Sequence, residues 1–221
     1  MGYNHSPYII TDGLVLVLDA ANSKSYPGSG TTWNDLSGNG YVGTLTNGPT
    51  FSSDNLGSIV LDGVDDYVIV NPDTINTDST TFEIWCKVDN PSSSGGSQIV
   101  FGYPNGTNQR LYFGFNNSQT WDLGIQSSAW GTTSLPVDTG WHCFVITLNT
   151  GIAKIYQDSI EYRTKTYASF TTSGNNLRIG DNFNSSYSFA GKTSIFKIYN
   201  RVLTPEEITQ NYNTIKSRYG L

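Results

Sequence analysis

Residues 59–70 read Ile-Val-Leu-Asp-Gly-Val-Asp-Asp-Tyr-Val-Ile-Val, two apolar runs separated by one short acidic turn. The β-branched and aromatic residues on either side fit a pleated, half-buried surface. Between them, Gly63 and the short polar side chains of Asp62, Asp65 and Asp66 supply what a sharp reversal needs, so strand, turn and strand are predicted here. Three carboxylates in five residues must be solvated, hydrogen-bonded or neutralised by a cation. Oxygen ligands suit a hard ion such as calcium, yet no D-x-D-x-D-G loop is present, so a bound ion at Asp65 and Asp66 and a solvated turn both stay open.

The same grammar extends along the chain. Strand-like runs recur at 14–19, 58–61, 67–70, 82–88, 98–101, 111–115, 121–126, 142–148, 153–157, 177–180 and 192–199, with turn residues between them and no alternating helices. That spacing predicts an all-β, antiparallel two-sheet sandwich rather than a βαβ fold. Phe82, Ile84, Cys86 and Val88 alternate with Glu83, Trp85 and Lys87, which predicts one core face and one face that is exposed or lines a groove. With 221 residues, 37% of them hydrophobic, the chain can bury a sizeable core, and only 14% charged residues leave little material for long helices. A first segment of 1–12 is read as an arm and 13–221 as one domain, closing on a helix over 204–219.

That helix is legible residue by residue. Thr204 can cap, Pro205 fits the first helical position, Glu207 completes a Thr-x-x-Glu box, and Leu203 with Ile208 forms a hydrophobic staple. Ile208, Tyr212, Ile215 and Tyr219 then share one face.

Charge and cysteines narrow the function classes. The net charge is −6, with 13 acidic against 3 basic residues in 1–150 and 5 against 9 in 151–221. In a sandwich that lays late strands beside early ones, this asymmetry favours internal pairing, and without clustered Lys and Arg it argues against nucleic acid. No run reaches the roughly 18 to 20 apolar residues of a membrane span, and no basic region precedes the apolar run 14–18, so a soluble chain without an export signal is expected. Cys86 and Cys143 lie inside strand-like runs, as two buried reduced thiols or, if their strands are neighbours, as a pair.

Six segments, in order along nearly the whole chain, resemble the laminin-G-like jelly rolls of the concanavalin A-like lectin/glucanase superfamily. They are Gly-Leu-Val-Leu-Val-Leu-Asp-Ala-Ala-Asn at 13–22, Thr-Trp-Asn-Asp-Leu-Ser-Gly-Asn-Gly at 32–40, Leu-Asp-Gly-Val-Asp-Asp-Tyr-Val at 61–68, Phe-Glu-Ile-Trp at 82–85, Gly-Trp-His at 140–142 and Ile-Tyr-Asn-Arg-Val-Leu-Thr-Pro-Glu-Glu-Ile at 198–208. The opening and closing segments look most like modules of tailed-bacteriophage virion proteins. The resemblance implies a jelly-roll fold and a place in capsid decorations, tail fibres or adhesins, with other virion proteins and copies of itself as partners. It further implies synthesis in the host cytoplasm and a virion location, with the polar start ending in Tyr8-Ile9-Ile10 as an arm that docks on a neighbouring subunit. Two positions depart from the family: Asp158-Ser159 replaces the usual Asp-Gly hairpin, which predicts a looser or differently typed turn, and Ser194 stands where relatives often carry an acid near calcium.

Catalytic signatures are missing. Retaining glucanases of the superfamily place two glutamates on one strand because acid and nucleophile must meet the same bond about 5 Å apart. Here Glu83, Glu161, Glu206 and Glu207 are the only glutamates, and the last two open the helix. Gln98-Ile99-Val100 echoes a polysaccharide-lyase strand, but Tyr112-Phe113-Gly114 lacks the lysine of its partner motif. His5 and His142 are the only histidines, one in the polar start and one beside Trp141 in a core strand, so neither a His-based triad nor a multi-histidine metal site is expected, and His142 reads as structural.

A non-enzymatic role is therefore expected, with binding of a surface glycan by aromatic faces beside amide and carboxylate groups. Tyr103, Tyr112, Trp121, Trp130 and Tyr187 stand in or next to Asn-, Gln- and Asp-rich segments and are the candidates, while Trp33 and Trp141 belong to folding. A free-standing carbohydrate-binding module and a glycan-cleaving glucanase or lyase are the alternatives.

Overall fold

The computed structural model describes residues 8–72, 75–76, 78–92, 97–103, 111–125, 135–168, 171–172, 177–181 and 187–221. In chain order the strands are β1 (Leu14–Asp19), β2 (Thr32–Asn34), β3 (Val42–Thr46), β4 (Thr50–Ser52), β5 (Ser58–Asp62), β6 (Tyr67–Val70), β7 (Ile75–Asn76), β8 (Ser79–Val88) and β9 (Gln98–Tyr103). They continue with β10 (Leu111–Phe115), β11 (Trp121–Ile125), β12 (Trp141–Asn149), β13 (Ile152–Gln157), β14 (Ile160–Thr166), β15 (Thr171–Thr172), β16 (Leu177–Ile179) and β17 (Ala190–Tyr199), before helix α1 (Pro205–Ile215).

Two antiparallel sheets face one another, as the sequence predicts. The back sheet runs β14-β13-β12-β8-β17-β5-β4, and the front sheet β11-β10-β9-β16-β6-β3-β2. β17 carries two partners on one edge, β5 opposite residues 190–193 and β1 opposite residues 195–199. Between the sheets lies a core of aromatic and branched side chains in which Phe82, Phe101, Phe113, Phe144 and Phe196 are fully buried. One side of the sandwich is latched by the edge strands, where Tyr162 on β14 donates to the Trp121 carbonyl at 3.3 Å and Lys165 to that of Leu123 at 2.7 Å.

The acidic turn after β5 is not a hairpin within one sheet. β5 pairs in the back sheet and β6 in the front, so residues 62–66 carry the chain across the edge of the sandwich. Turn chemistry reports a reversal but not which sheet the chain enters next. The Asp158-Ser159 turn also differs from expectation: it is tight, with Gln157 opposite Ile160 and both turn residues at positive φ, 52° and 71°, as a two-residue I′ hairpin requires. The carboxylate of Asp158 holds it there by accepting from the Cys143 amide at 3.0 Å and meeting His142 Nδ1 at 2.6 Å.

The second face of β8 is covered over Glu83 and Trp85, whereas Lys87 remains partly exposed beside Asp89. Glu83 and Trp85 are fully buried beneath α1 and the 3₁₀ turn at Lys216–Tyr219, with the Trp85 ring stacked on Tyr212 at 5.6 Å and on Tyr219 at 4.5 Å. Glu83 meets Lys197 at 2.7 Å and accepts from Asn211 of the helix at 2.9 Å. Asn211 accepts from the Ile10 amide at 2.8 Å, so residues of the expected arm lie against the chain's own helix. The helix start has its full capping box, Glu207 amide to Thr204 Oγ1 at 3.3 Å and Thr204 amide to Glu207 at 2.9 Å. Cys86 and Cys143 are free, buried thiols on opposite faces of the back sheet, Cys86 in the inter-sheet core and Cys143 under the helix. Among the described residues no helix is long and apolar enough to cross a membrane.

Candidate binding site at the sandwich rim

The five aromatic candidates separate by environment. Tyr103 is 1% exposed in the inter-sheet core, its ring 6.0 Å from Phe82, and burial pushes its hydroxyl well above the usual tyrosine range, with Tyr41 adding to the effect. Trp121 is equally buried, stacked on Phe113 at 5.4 Å and against Phe144 at 4.3 Å. Neither ring offers a face to solvent. Tyr112 points to the other side of the front sheet but lies flat over Gly124 of the neighbouring strand, leaving no room there for a Cβ. Trp130 lies outside the described residues. Trp33 and Trp141 pack in the two apolar clusters.

Tyr187 alone of the described candidates is exposed, at 39%. It borders an open hollow of about 390 Å³ whose other walls are Ser97 at the start of β9 and Asn116, Asn117 and Ser118 in the β10–β11 turn. That turn is built by Asn116, whose side-chain oxygen accepts from the Ser118 amide at 2.9 Å and the Thr120 hydroxyl at 3.0 Å. Ser97 donates to the Asn117 side-chain oxygen, fixing the amide against the strand. An aromatic ring beside fixed amides and hydroxyls can stack on one face of a small polar ring while bonding its hydroxyls.

The next residue ties this hollow to the acidic turn, since Ser188 donates to the Val64 carbonyl at 2.8 Å. Asp62, Asp65 and Asp66 each offer a carboxylate oxygen, all within 4.8 Å of one another. Asp62 accepts from the Val64 amide at 2.8 Å, Asp66 from the Asp62 amide at 3.2 Å, and Asn47 donates to the Asp65 carbonyl at 2.9 Å. Burial raises the Asp66 carboxyl above the ordinary range, and the charges of Asp62 and Asp65 raise it further, against the pull of the Asp62 amide. Three converging carboxylates are the hard-oxygen set that calcium takes, and Asp62 joins the two expected from the sequence. Ser194 is no part of this cluster: Asp62 faces Ala190 at the start of β17, whereas Ser194 lies mid-strand and donates to the Gly57 carbonyl at 2.7 Å.

The two-sheet sandwich with a helix on its outer face defines a lectin-like fold class, and comparison places the chain within it. The family described as the concanavalin A-like lectin/glucanases superfamily matches residues 62–209, more than half of the chain, and the chain belongs to it. No curated protein matches in sequence. Domain 4 of AbnA, a GH43 extracellular arabinanase from Geobacillus stearothermophilus solved with arabinotriose, is similar at 19% identity and a TM-score of 0.72, over 90% of this chain and 98% of that one. The Trypanosoma rangeli sialidase solved with the inhibitor DANA is similar at 14% identity and 0.70, over 92% of this chain but 33% of its own. The binding domain of Paraclostridial Mosquitocidal Protein 1 is similar at 17% identity and 0.64, over 92% of this chain and 52% of that one. The chain thus spans about a third of the sialidase and half of the toxin domain.

Proposed function

We propose that this chain is a non-enzymatic lectin-like module that holds a surface glycan at the Tyr187 rim and is displayed in many copies on a bacteriophage particle. The observation that carries the reading is Tyr187 itself, a half-open aromatic face set beside Asn116, Asn117 and Ser118 while its fellow described candidates lie in or against the sheets. A shallow site of this kind binds weakly alone, and many copies on one particle raise the effective affinity. The likeness of the opening and closing segments to virion modules supports the particle context, and the arabinotriose bound in its structural neighbour supports a sugar as the ligand class.

The disposition of the glutamates supports a role without bond cleavage. Glu83 is buried against Lys197 at 2.7 Å, Glu161 pairs with Lys154 at 2.9 Å, and Glu206 and Glu207 open α1. None lines the Tyr187 hollow. Calcium at Asp62, Asp65 and Asp66 would brace the rim from the side of Ser188. A glycan array probed with wild type and Tyr187→Ala tests the binding: glycan signals that fall at least tenfold in the variant are expected, and equal signals would remove Tyr187 from the site. Release of reducing ends from a bound glycan would overturn the non-enzymatic role.

A further inference from the structure

The wall of the Tyr187 hollow made by Asn116, Asn117 and Ser118 rests on a second length of chain. Gln119 donates to the Asn116 carbonyl at 2.8 Å and closes the turn, and its own carbonyl accepts from the Val137 amide at 2.8 Å. Two residues on, the Trp121 amide donates to the Leu135 carbonyl at 3.1 Å, with Thr120 bridged to Pro136 between them. Residues 135–138 therefore back the turn as a short antiparallel partner. That partner ends on Asp138, whose carboxylate accepts from the Gly140 amide at 2.6 Å and lies 3.0 Å from Nε2 of His142, near the start of β12. One run of main chain thus joins the rim to a titratable ring.

The ring donates to both of its carboxylates only as an imidazolium, because a neutral imidazole has a single N–H. Asp158 lies 2.6 Å from Nδ1, is less exposed than Asp138 and is fixed by the Cys143 amide at 3.0 Å. The Gln157 amide nitrogen, 2.9 Å from Nδ1, favours a bare Nδ1, but that tautomer would set a ring lone pair against Asp158. A neutral ring therefore keeps its proton on Nδ1 and turns a lone pair towards Asp138, whose side chain is 60% exposed and can swing into water. Burial opposes the charge on His142, yet Asp158 and Asp138 outweigh it, so the ring loses its proton above pH 6.5. The groups around it keep their charge from pH 6 to 8.5. Burial works against the Asp138 charge, but the Gly140 amide and His142 outweigh it and hold that carboxyl below its ordinary range. Burial also holds the Cys86 and Cys143 thiols and the Tyr212 hydroxyl, all of which feel the charge of Asp158, above theirs.

We propose that His142 is a proton-operated clamp on the glycan rim: the imidazolium grips Asp138, so residues 135–138 hold the β10–β11 turn, and the neutral ring releases both. The effect on glycan affinity rests on the reading of the Tyr187 rim as a glycan site, whereas the link from ring to turn does not. An NMR pH titration of the glycan-free protein tests that link. The amides of Val137, Gln119 and Asn117 should shift with the same midpoint as the His142 ring. In Asp138→Asn, whose amide can turn to bond either state of the ring, His142 should still titrate while those three amides stay still. Should that variant fail to fold, His142→Gln should silence them as well. With the strongest glycan from the array, wild type should bind about fivefold more weakly at pH 8.5 than at pH 6, and Asp138→Asn equally at both. Rim amides that follow the ring in wild type and not in the variant support the clamp even if no glycan binds, and it is then the reading of the rim that fails. Rim amides that stay still while the ring titrates, rim amides that still titrate in Asp138→Asn, or a wild-type glycan affinity equal at both pH values would each overturn the proposal.

Discussion

The His142 ring is held between two carboxylates, Asp158 at 2.6 Å on Nδ1 and Asp138 at 3.0 Å on Nε2. Burial alone would lower its pKa, but the hydrogen bonds and charges of Asp158 and Asp138 outweigh that and raise it above the ordinary 6.5. The imidazolium therefore contributes stability that is fully present below about pH 6.5 and is lost as pH rises through the raised folded value. Urea titrations at pH 6 and pH 8.5 should show wild type losing more stability than His142→Gln across that window. Equal losses would show that the ring carries no such coupling. Asp66 follows the same direction at lower pH: its raised pKa means that ionisation costs native stability as pH climbs above the unfolded value of 3.8. Asp66→Asn should raise the melting temperature at pH 7.5 by about 2 °C. Millimolar calcium should raise that of wild type and not of the variant, and a wild-type temperature indifferent to calcium would remove the cation from the rim. The sequence marked His142 as structural and the acidic turn as a cluster. The convergence of Asp62 on the same point was hidden because it depends on how the turn crosses between sheets.

At the scale of elements, the terminal helix shows what local sequence can and cannot specify. Its cap, staple and apolar stripe are all short-range patterns, so Thr204, Pro205, Glu207, Leu203 and Ile208 could be read directly. Arg201 adds a bidentate grip on Glu207, 2.7 Å to each oxygen. Replacing Thr204 by Ala should cost about 1 kcal/mol in denaturant unfolding, and a change under a few tenths would show that the box is redundant. What the helix covers was not legible, because an alternating Glu83 and Trp85 look the same in sequence whether water or Asn211 lies above them. Glu83→Ala leaves the Lys197 ammonium buried and alone, so the expected loss is about 3–5 kcal/mol. Glu83→Gln/Lys197→Met should recover most of it, and a double variant as unstable as the single would show that the pair is not the cause. Strand β14 escaped the sequence reading for a related reason: as a largely exposed edge strand it has no apolar alternation to detect.

For the whole molecule, eleven strand-like runs and their turns were enough to reach an antiparallel sandwich, since burial on one face imposes alternation wherever a strand is long enough. The candidate site was legible only in part. Aromatic residues beside polar ones, such as Tyr103 and Trp121, can face either way, and here both pack inward, Tyr103 against Phe82 and Trp121 against Phe113 and Phe144. Tyr187 stays outside because it stands in the segment leading into β17, just ahead of the buried Ser188 and Phe189. The proposed recognition site falls at one rim of the sandwich, where three separate segments meet. Amide chemical-shift mapping by NMR with the strongest glycan from the array tests this most directly. Shifts should concentrate at Ser97, Asn116, Asn117, Ser118 and Tyr187; shifts concentrated on another face, with those residues unmoved, would contradict it.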